Sequence, residues 1–78
     1  MDNMQRASDL VKKATALVNN HSPINNSSDM AKVEEASRYF KEARTLIPSD
    51  RADLHAMLEE MLGSATNLLS AGRSRLGK

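Results

Sequence analysis

Few side chains in this sequence could do chemistry, and the two histidines come first among them. His55 and Glu59 are four residues apart, so on a helix they share one face, where such a pair can bind a metal or transfer a proton. His21 lies far from them in an asparagine- and serine-rich segment, and the chain has no cysteine. Because a metal site needs several converging ligands, we expect no metal and interpret His55 and Glu59 as a solvated pair.

Other kinds of catalysis also lack their usual residues. No serine stands in a nucleophile-elbow motif, and no glycine-rich segment has the pattern of a phosphate-binding loop. We therefore predict that the protein is not an enzyme, needs no cofactor and acts by binding another molecule.

The charge pattern narrows the choice of partner. The formal net charge is +1, and acidic and basic residues are interspersed, which is untypical of nucleic-acid-binding domains. A mildly basic end formed by Arg73, Arg75 and Lys78 leaves open a weak contact with phospholipid or nucleic acid. No apolar run is long enough to cross a membrane, and the first residues lack the apolar stretch of a signal peptide. We expect a cytoplasmic protein with no nucleic-acid partner and only an indirect relation to membranes.

The spacing of apolar residues predicts the elements that must position any binding site. With 78 residues the chain has room for one domain, 1–78. Apolar residues recur at steps of three and four in three segments, which predicts an all-α, three-helix antiparallel bundle. The predicted helices span about 3–19, 29–47 and 50–73, with a loop over 20–28. Pro48 ends the second helix, and the short connection makes the second and third helices antiparallel neighbours.

The predicted helix starts rest on capping residues. Ser27 or Ser28 is the expected N-cap of the second helix, and Ser49 or Asp50 that of the third. The pattern leaves open whether Ile24, inside the first loop, packs against the bundle.

The third helix carries more apolar residues than two neighbours should cover. Its inward stripe consists of Leu54, Leu58, Met61, Ala65 and Leu68. Beside this stripe, Leu62, Leu69 and Leu76 follow one another at heptad spacing, with Met57 near the same side. Surplus apolar surface on a bundle can hold a further amphipathic helix in a groove. The alternative is that these leucines complete a small core or are singly exposed.

The sequence resembles the MIT (microtubule interacting and trafficking) domain, a three-helix bundle of similar length. The segment ASDLVKKA (7–14) is similar to the opening of that family's first helix, and EEASRYFKEA (34–43) to the pattern in its second. The segment MLGSATNL (61–68) matches the family's third helix at the leucines and the alanine. The family's arginine and glutamate in this third segment are replaced by Ser64 and Thr66. The second helix also looks like one helix of a TPR hairpin.

The resemblance implies a function in protein recruitment. MIT domains bind short C-terminal tail motifs of ESCRT-III subunits, and one class of motif lies as a helix between helices two and three. The implied protein is a monomeric, endosome-associated adaptor that brings an attached activity to sites of membrane remodelling. The resemblance and the leucine row together give the candidate partner-binding residues Leu62, Ala65, Leu68, Leu69, Lys41, Arg44 and Met57. Within this set, Lys41 and Arg44 would orient an acidic, helical or extended tail.

A second interpretation lies outside this family. The chain could be a small helical chaperone or an oligomerising bundle, in which the leucine row of the third helix is a permanent subunit interface. A stable homodimer in solution would favour this alternative over an open groove.

Overall fold

The computed structural model describes residues 2–77, which form three α-helices. Helix α1 spans Asn3–Asn20, α2 spans Ser27–Leu46 and α3 spans Ala52–Leu76. The predicted all-α three-helix bundle is confirmed for this part of the chain. The helix ends differ by at most three residues from the predicted ones, and the largest difference is at the end of α3.

The helix starts use different caps from those predicted. The side chain of Asn26 caps α2 by accepting a hydrogen bond from the backbone N–H of Asp29 at 2.8 Å, so the prediction of Ser27 or Ser28 is wrong. Asparagine caps as well as serine does, and the sequence pattern could not choose among adjacent candidates. The predicted cap of α3 at Ser49 or Asp50 is also wrong, because α3 starts after Arg51 without a side-chain cap.

A polar network holds the first loop between α1 and α2. The Asp29 carboxylate accepts from the backbone N–H of Asn25 at 3.1 Å and lies 2.9 Å from Nδ1 of His21. These hydrogen bonds lower the pKa of Asp29, and the bond from His21 has the largest effect. Both bonds stabilise the charged form of the carboxylate. His21 is also the C-cap residue of α1, and its backbone N–H donates to the carbonyls of Leu17 at 3.1 Å and Val18 at 3.3 Å. His21 is thus a structural residue that joins two helix ends.

Helix α2 is the central helix of the bundle. Its fully buried side chains Val33, Ala36, Phe40 and Ala43 follow the spacing of one wide apolar face. Both α1 and α3 pack extensively against α2, whereas α1 and α3 make few contacts with each other. An exposed ion pair between Arg6 and Glu42, 3.3 Å apart, joins the start of α1 to the end of α2.

The core divides into two clusters along α2. The larger cluster joins all three helices and consists of Ala7, Leu10, Ala14, Ala36, Phe40, Ala43, Ile47, Leu58 and Leu62. The smaller cluster consists of Ile24, Val33, Ala65 and Leu69. It joins the start of α2 to the second half of α3, which shows that these two helices are antiparallel. No residue of α1 belongs to this smaller cluster.

The loop residue Ile24 takes the place of a helix in the smaller cluster. Its side chain is only 2% exposed, which settles the question that the sequence left open. It packs so closely against α3 that a Cβ added at Gly72 would lie 2.9 Å from its Cδ1 and Cγ2 atoms and 3.0 Å from its Cβ. The glycine at position 72 therefore makes room for the loop. By contrast, nothing lies within 4 Å of a Cβ added at Gly63.

These two glycines of α3 form a matched pair for testing the packing of Ile24. Replacing Gly63 with alanine should raise the free energy of unfolding by up to about 1 kcal/mol, because alanine is the better helix former. Replacing Gly72 should lower it by about 1 kcal/mol, since overpacking costs more than helix propensity returns. Urea unfolding followed by circular dichroism measures both. If both substitutions stabilise the protein, Ile24 does not pack against Gly72.

Candidate protein-binding groove

The leucines that were predicted to line a groove between α2 and α3 lie in the core. Leu62 and Leu69 are each 8% exposed and Ala65 is fully buried. Leu62 belongs to the larger cluster, and Leu69 and Ala65 pack with Ile24 in the smaller one. The expectation that these three side chains form an open binding surface is therefore wrong in this structure. The predicted surplus left out the loop residue Ile24, which covers Ala65 and Leu69. Leu62 is buried in the larger cluster, which joins all three helices.

The remaining predicted residues do not come together at one site. Leu68 is half-buried beside the smaller cluster, while Lys41 and Arg44 are exposed on α2. Arg44 lines a shallow depression between α2 and α3, and Met57 lines a different concavity on the opposite flank of α3. Of the predicted set, Met57 alone is a large apolar side chain with substantial exposure, at 41%.

A largely apolar concavity lies between α1 and α3, and we call it the α1–α3 groove. It has a volume of about 400 Å³. Its lining residues are Met4, Ala7, Ser8, Val11, Lys12, Ile47, Leu54 and Met57. Two helices form its walls: α1 forms one wall and the first turns of α3 form the other. Ile47, which follows α2, lies between them.

The groove follows from the way in which α1 divides its apolar residues. Ala7 and Ala14 are almost completely buried, as expected for a row that faces α2. Met4, Val11 and Val18 form a second row at heptad spacing, and all three are only partly buried. On the facing helix, Leu54 and Met61 are partly buried in the same way. The backbones of α1 and α3 rarely come close together, and the residues of these rows that lie between the two helices stay partly open to solvent.

The sequence contained a signal for this groove, but on a different helix. The row Met4, Val11 and Val18 lies beside the alanine row of α1, so α1 also has two apolar rows. Surplus apolar surface was predicted only for α3, where the rows contain leucine.

The groove is apolar inside and has polar groups at its edge. Among residues 2–77, its polar lining residues are Ser8 and Lys12, which are both exposed and both belong to α1. Among residues 2–77, Lys12 makes no ion pair. An apolar slot with one cation at its rim can hold apolar side chains of a ligand and attract a neighbouring carboxylate.

Two shallower concavities are more polar than the groove. One, between α2 and α3, is lined by Arg44, His55 and Glu59 among others. The His55 side chain in it is hydrogen-bonded to the backbone: Nε2 lies 3.2 Å from the carbonyl of Ile47 and 3.1 Å from that of Pro48. The ring therefore ties the start of α3 to the turn before it.

The other concavity, between α1 and α2, contains Tyr39 and Glu35. The Tyr39 hydroxyl donates to the Glu35 carboxylate at 2.6 Å. This hydrogen bond lowers the pKa of Glu35 and raises that of Tyr39, since it favours the charged acid and the neutral phenol. Within residues 2–77 no three histidine or acidic side chains converge to form a metal site.

No protein-family model, curated protein or solved structure matches this chain. The resemblance to MIT domains therefore has no support beyond the residues that suggested it. Among the described residues, no helix is long and apolar enough to cross a membrane.

The burial of Leu62 predicts a large effect on stability. Replacing Leu62 with alanine should lower the free energy of unfolding by about 2–4 kcal/mol, since it leaves a cavity in the larger cluster. Replacing Leu76, which is 43% exposed, should change it by less than about 0.5 kcal/mol. Both values come from urea unfolding. Equal effects of the two substitutions would place Leu62 on the surface and restore a groove between α2 and α3.

Proposed function

We propose that this chain is a protein-interaction module that binds a short segment of a partner protein in the α1–α3 groove. The proposal rests on the exposure of Met57. This side chain is 41% exposed and lines a largely apolar slot together with Met4, Val11 and Leu54. Apolar concavities of this kind are typical of sites that accept apolar side chains. Methionine walls can adapt to side chains of different shape.

The size of the groove favours a short segment over a second copy of the chain. A stable protein–protein interface buries about 800 Å² on each partner and involves some 20–30 residues a side. Eight residues line the groove, and several of them are already largely buried inside the bundle. So small a surface can take a few side chains of a peptide but does not support a stable dimer.

The proposed partners are C-terminal tails of ESCRT-III-type proteins, and here the proposal depends on the resemblance to MIT domains. Burial of Leu62 and Leu69 moves the proposed site from the side of α2 and α3 to the α1–α3 groove. Lys12 at the rim favours a tail that has an acidic residue next to its apolar ones. A groove of this size is consistent with micromolar affinity, roughly −8 kcal/mol. The module would then recruit an attached activity to membrane-remodelling sites on the cytoplasmic side of endosomes.

The alternative, an oligomerising bundle or helical chaperone, loses the surface on which it was based. Of the leucine row that was to form a subunit interface, Leu62 and Leu69 face the core and only Leu76 is exposed. A single exposed leucine at a helix end does not make an interface.

A pair of substitutions with matched exposure tests the proposed site. Met57 and Leu76 are 41% and 43% exposed, but only Met57 lines the groove. The substitution Met57→Glu should weaken the binding of a labelled ESCRT-III tail peptide at least about tenfold, because it places a charge in the slot. The matched control Leu76→Glu should bind as the unmodified protein does. Fluorescence anisotropy against a panel of such tails gives the affinities.

Circular dichroism of both variants verifies that the helices remain folded. If a tail binds and Met57→Glu binds it equally well, the groove assignment is wrong. If no tail in the panel binds the unmodified protein, the partner class is wrong.

A further inference from the structure

The methionines in the described part of the chain fall into two structural groups. Met4 and Met61 pack against the larger core cluster, and Met30 packs against the smaller one. Met57 belongs to neither cluster and is 41% exposed, whereas the other three are only partly exposed. Its thioether is therefore the one that an oxidant in solution reaches most easily.

The chemistry of such a side chain is defined. A thioether attacks one oxygen of hydrogen peroxide, the O–O bond breaks and an S–O bond forms. The sulfur loses two electrons to become a sulfoxide, and the peroxide is reduced to water. The product is polar and chiral, and methionine sulfoxide reductases return it to the thioether.

We propose that Met57 is an oxidation-sensitive site that controls the α1–α3 groove. Oxidation by peroxide places a sulfoxide oxygen on the wall of a slot whose other lining residues are mostly apolar. A polar group there loses water on contact with an apolar ligand and gains no partner, so binding weakens. The link to an ESCRT-III-type tail depends on the function proposed above. The selectivity for Met57 and the loss of an apolar surface do not.

The position of Met57 outside the core distinguishes this site from ordinary oxidative damage. A sulfoxide at Met4, Met30 or Met61 would put a polar atom against a core cluster and destabilise the bundle. A sulfoxide at Met57 leaves both clusters intact. The protein can therefore lose and regain its groove without unfolding.

The test treats the complete chain with dilute hydrogen peroxide and follows each methionine by peptide mapping and mass spectrometry. Met57 should oxidise at least about fivefold faster than Met4, Met30 and Met61, in line with its exposure. Met1 lies outside the described residues, and the mapping reports it separately. If the four methionines oxidise at equal rates, the proposal is overturned.

The second readout is the fluorescence of 1-anilinonaphthalene-8-sulfonate, a small dye that binds apolar slots. Oxidation at Met57 should reduce dye binding severalfold with an unchanged thermal melt, and methionine sulfoxide reductases should restore it. In the control Met57→Leu, dye binding should be the same before and after peroxide treatment, because leucine has no thioether to oxidise. The proposal is contradicted if the oxidised protein binds the dye as before, or if the untreated protein does not bind it. A lower melting temperature caused by the Met57 sulfoxide would also contradict it. Failure of the tail peptides to bind would affect the partner class alone, because neither readout uses a tail.

Discussion

Packing of α1 and α3 against the same wide face of α2 is the interaction on which the rest of the structure depends. Helix α2 supplies Val33, Ala36, Phe40 and Ala43, which are almost completely buried. Since three of these four positions lie in the larger cluster, α2 forms the floor between its two neighbours. The backbones of α1 and α3 therefore stay apart, and the boundary between these two helices stays partly open to solvent. The same arrangement decides which apolar rows are core and which form a surface.

The two ends of the bundle differ in how their apolar residues are covered. Towards the end of α1, the loop brings Ile24 down onto α2 and α3, and Gly72 makes room for it. The hydrogen bonds from His21 and Asn25 to Asp29 hold that loop in place. At the other end of the bundle, Met4, Val11, Leu54 and Met57 line the α1–α3 groove, and Ile47 after α2 lies between its walls. Apolar residues are thus covered by the first loop at one end, whereas several at the opposite end stay partly exposed.

The helices could be predicted from the sequence because their signals are local. Steps of three and four in the apolar residues give the three segments, and Pro48 gives the end of α2. The site could not be predicted in the same way, because burial depends on which elements meet across the bundle. Leu62 and Met57 are both apolar residues of α3, yet one faces α2 and the other faces the gap beside α1. Ile24 carries no periodic signal at all, yet it packs with Ala65 and Leu69 and so covers part of the apolar surface that was predicted to be in excess on α3.

The exposed apolar surface lies between α1 and α3 and not between α2 and α3. Nuclear magnetic resonance of methyl-labelled protein, with a soluble gadolinium chelate added, measures this directly. We expect strong broadening of the Met57 methyl signal, moderate broadening for Val11 and Leu54, and little for the buried residues Leu62, Ala65 and Leu69. Strong broadening of Leu62 and Leu69 together with a protected Met57 would contradict this expectation.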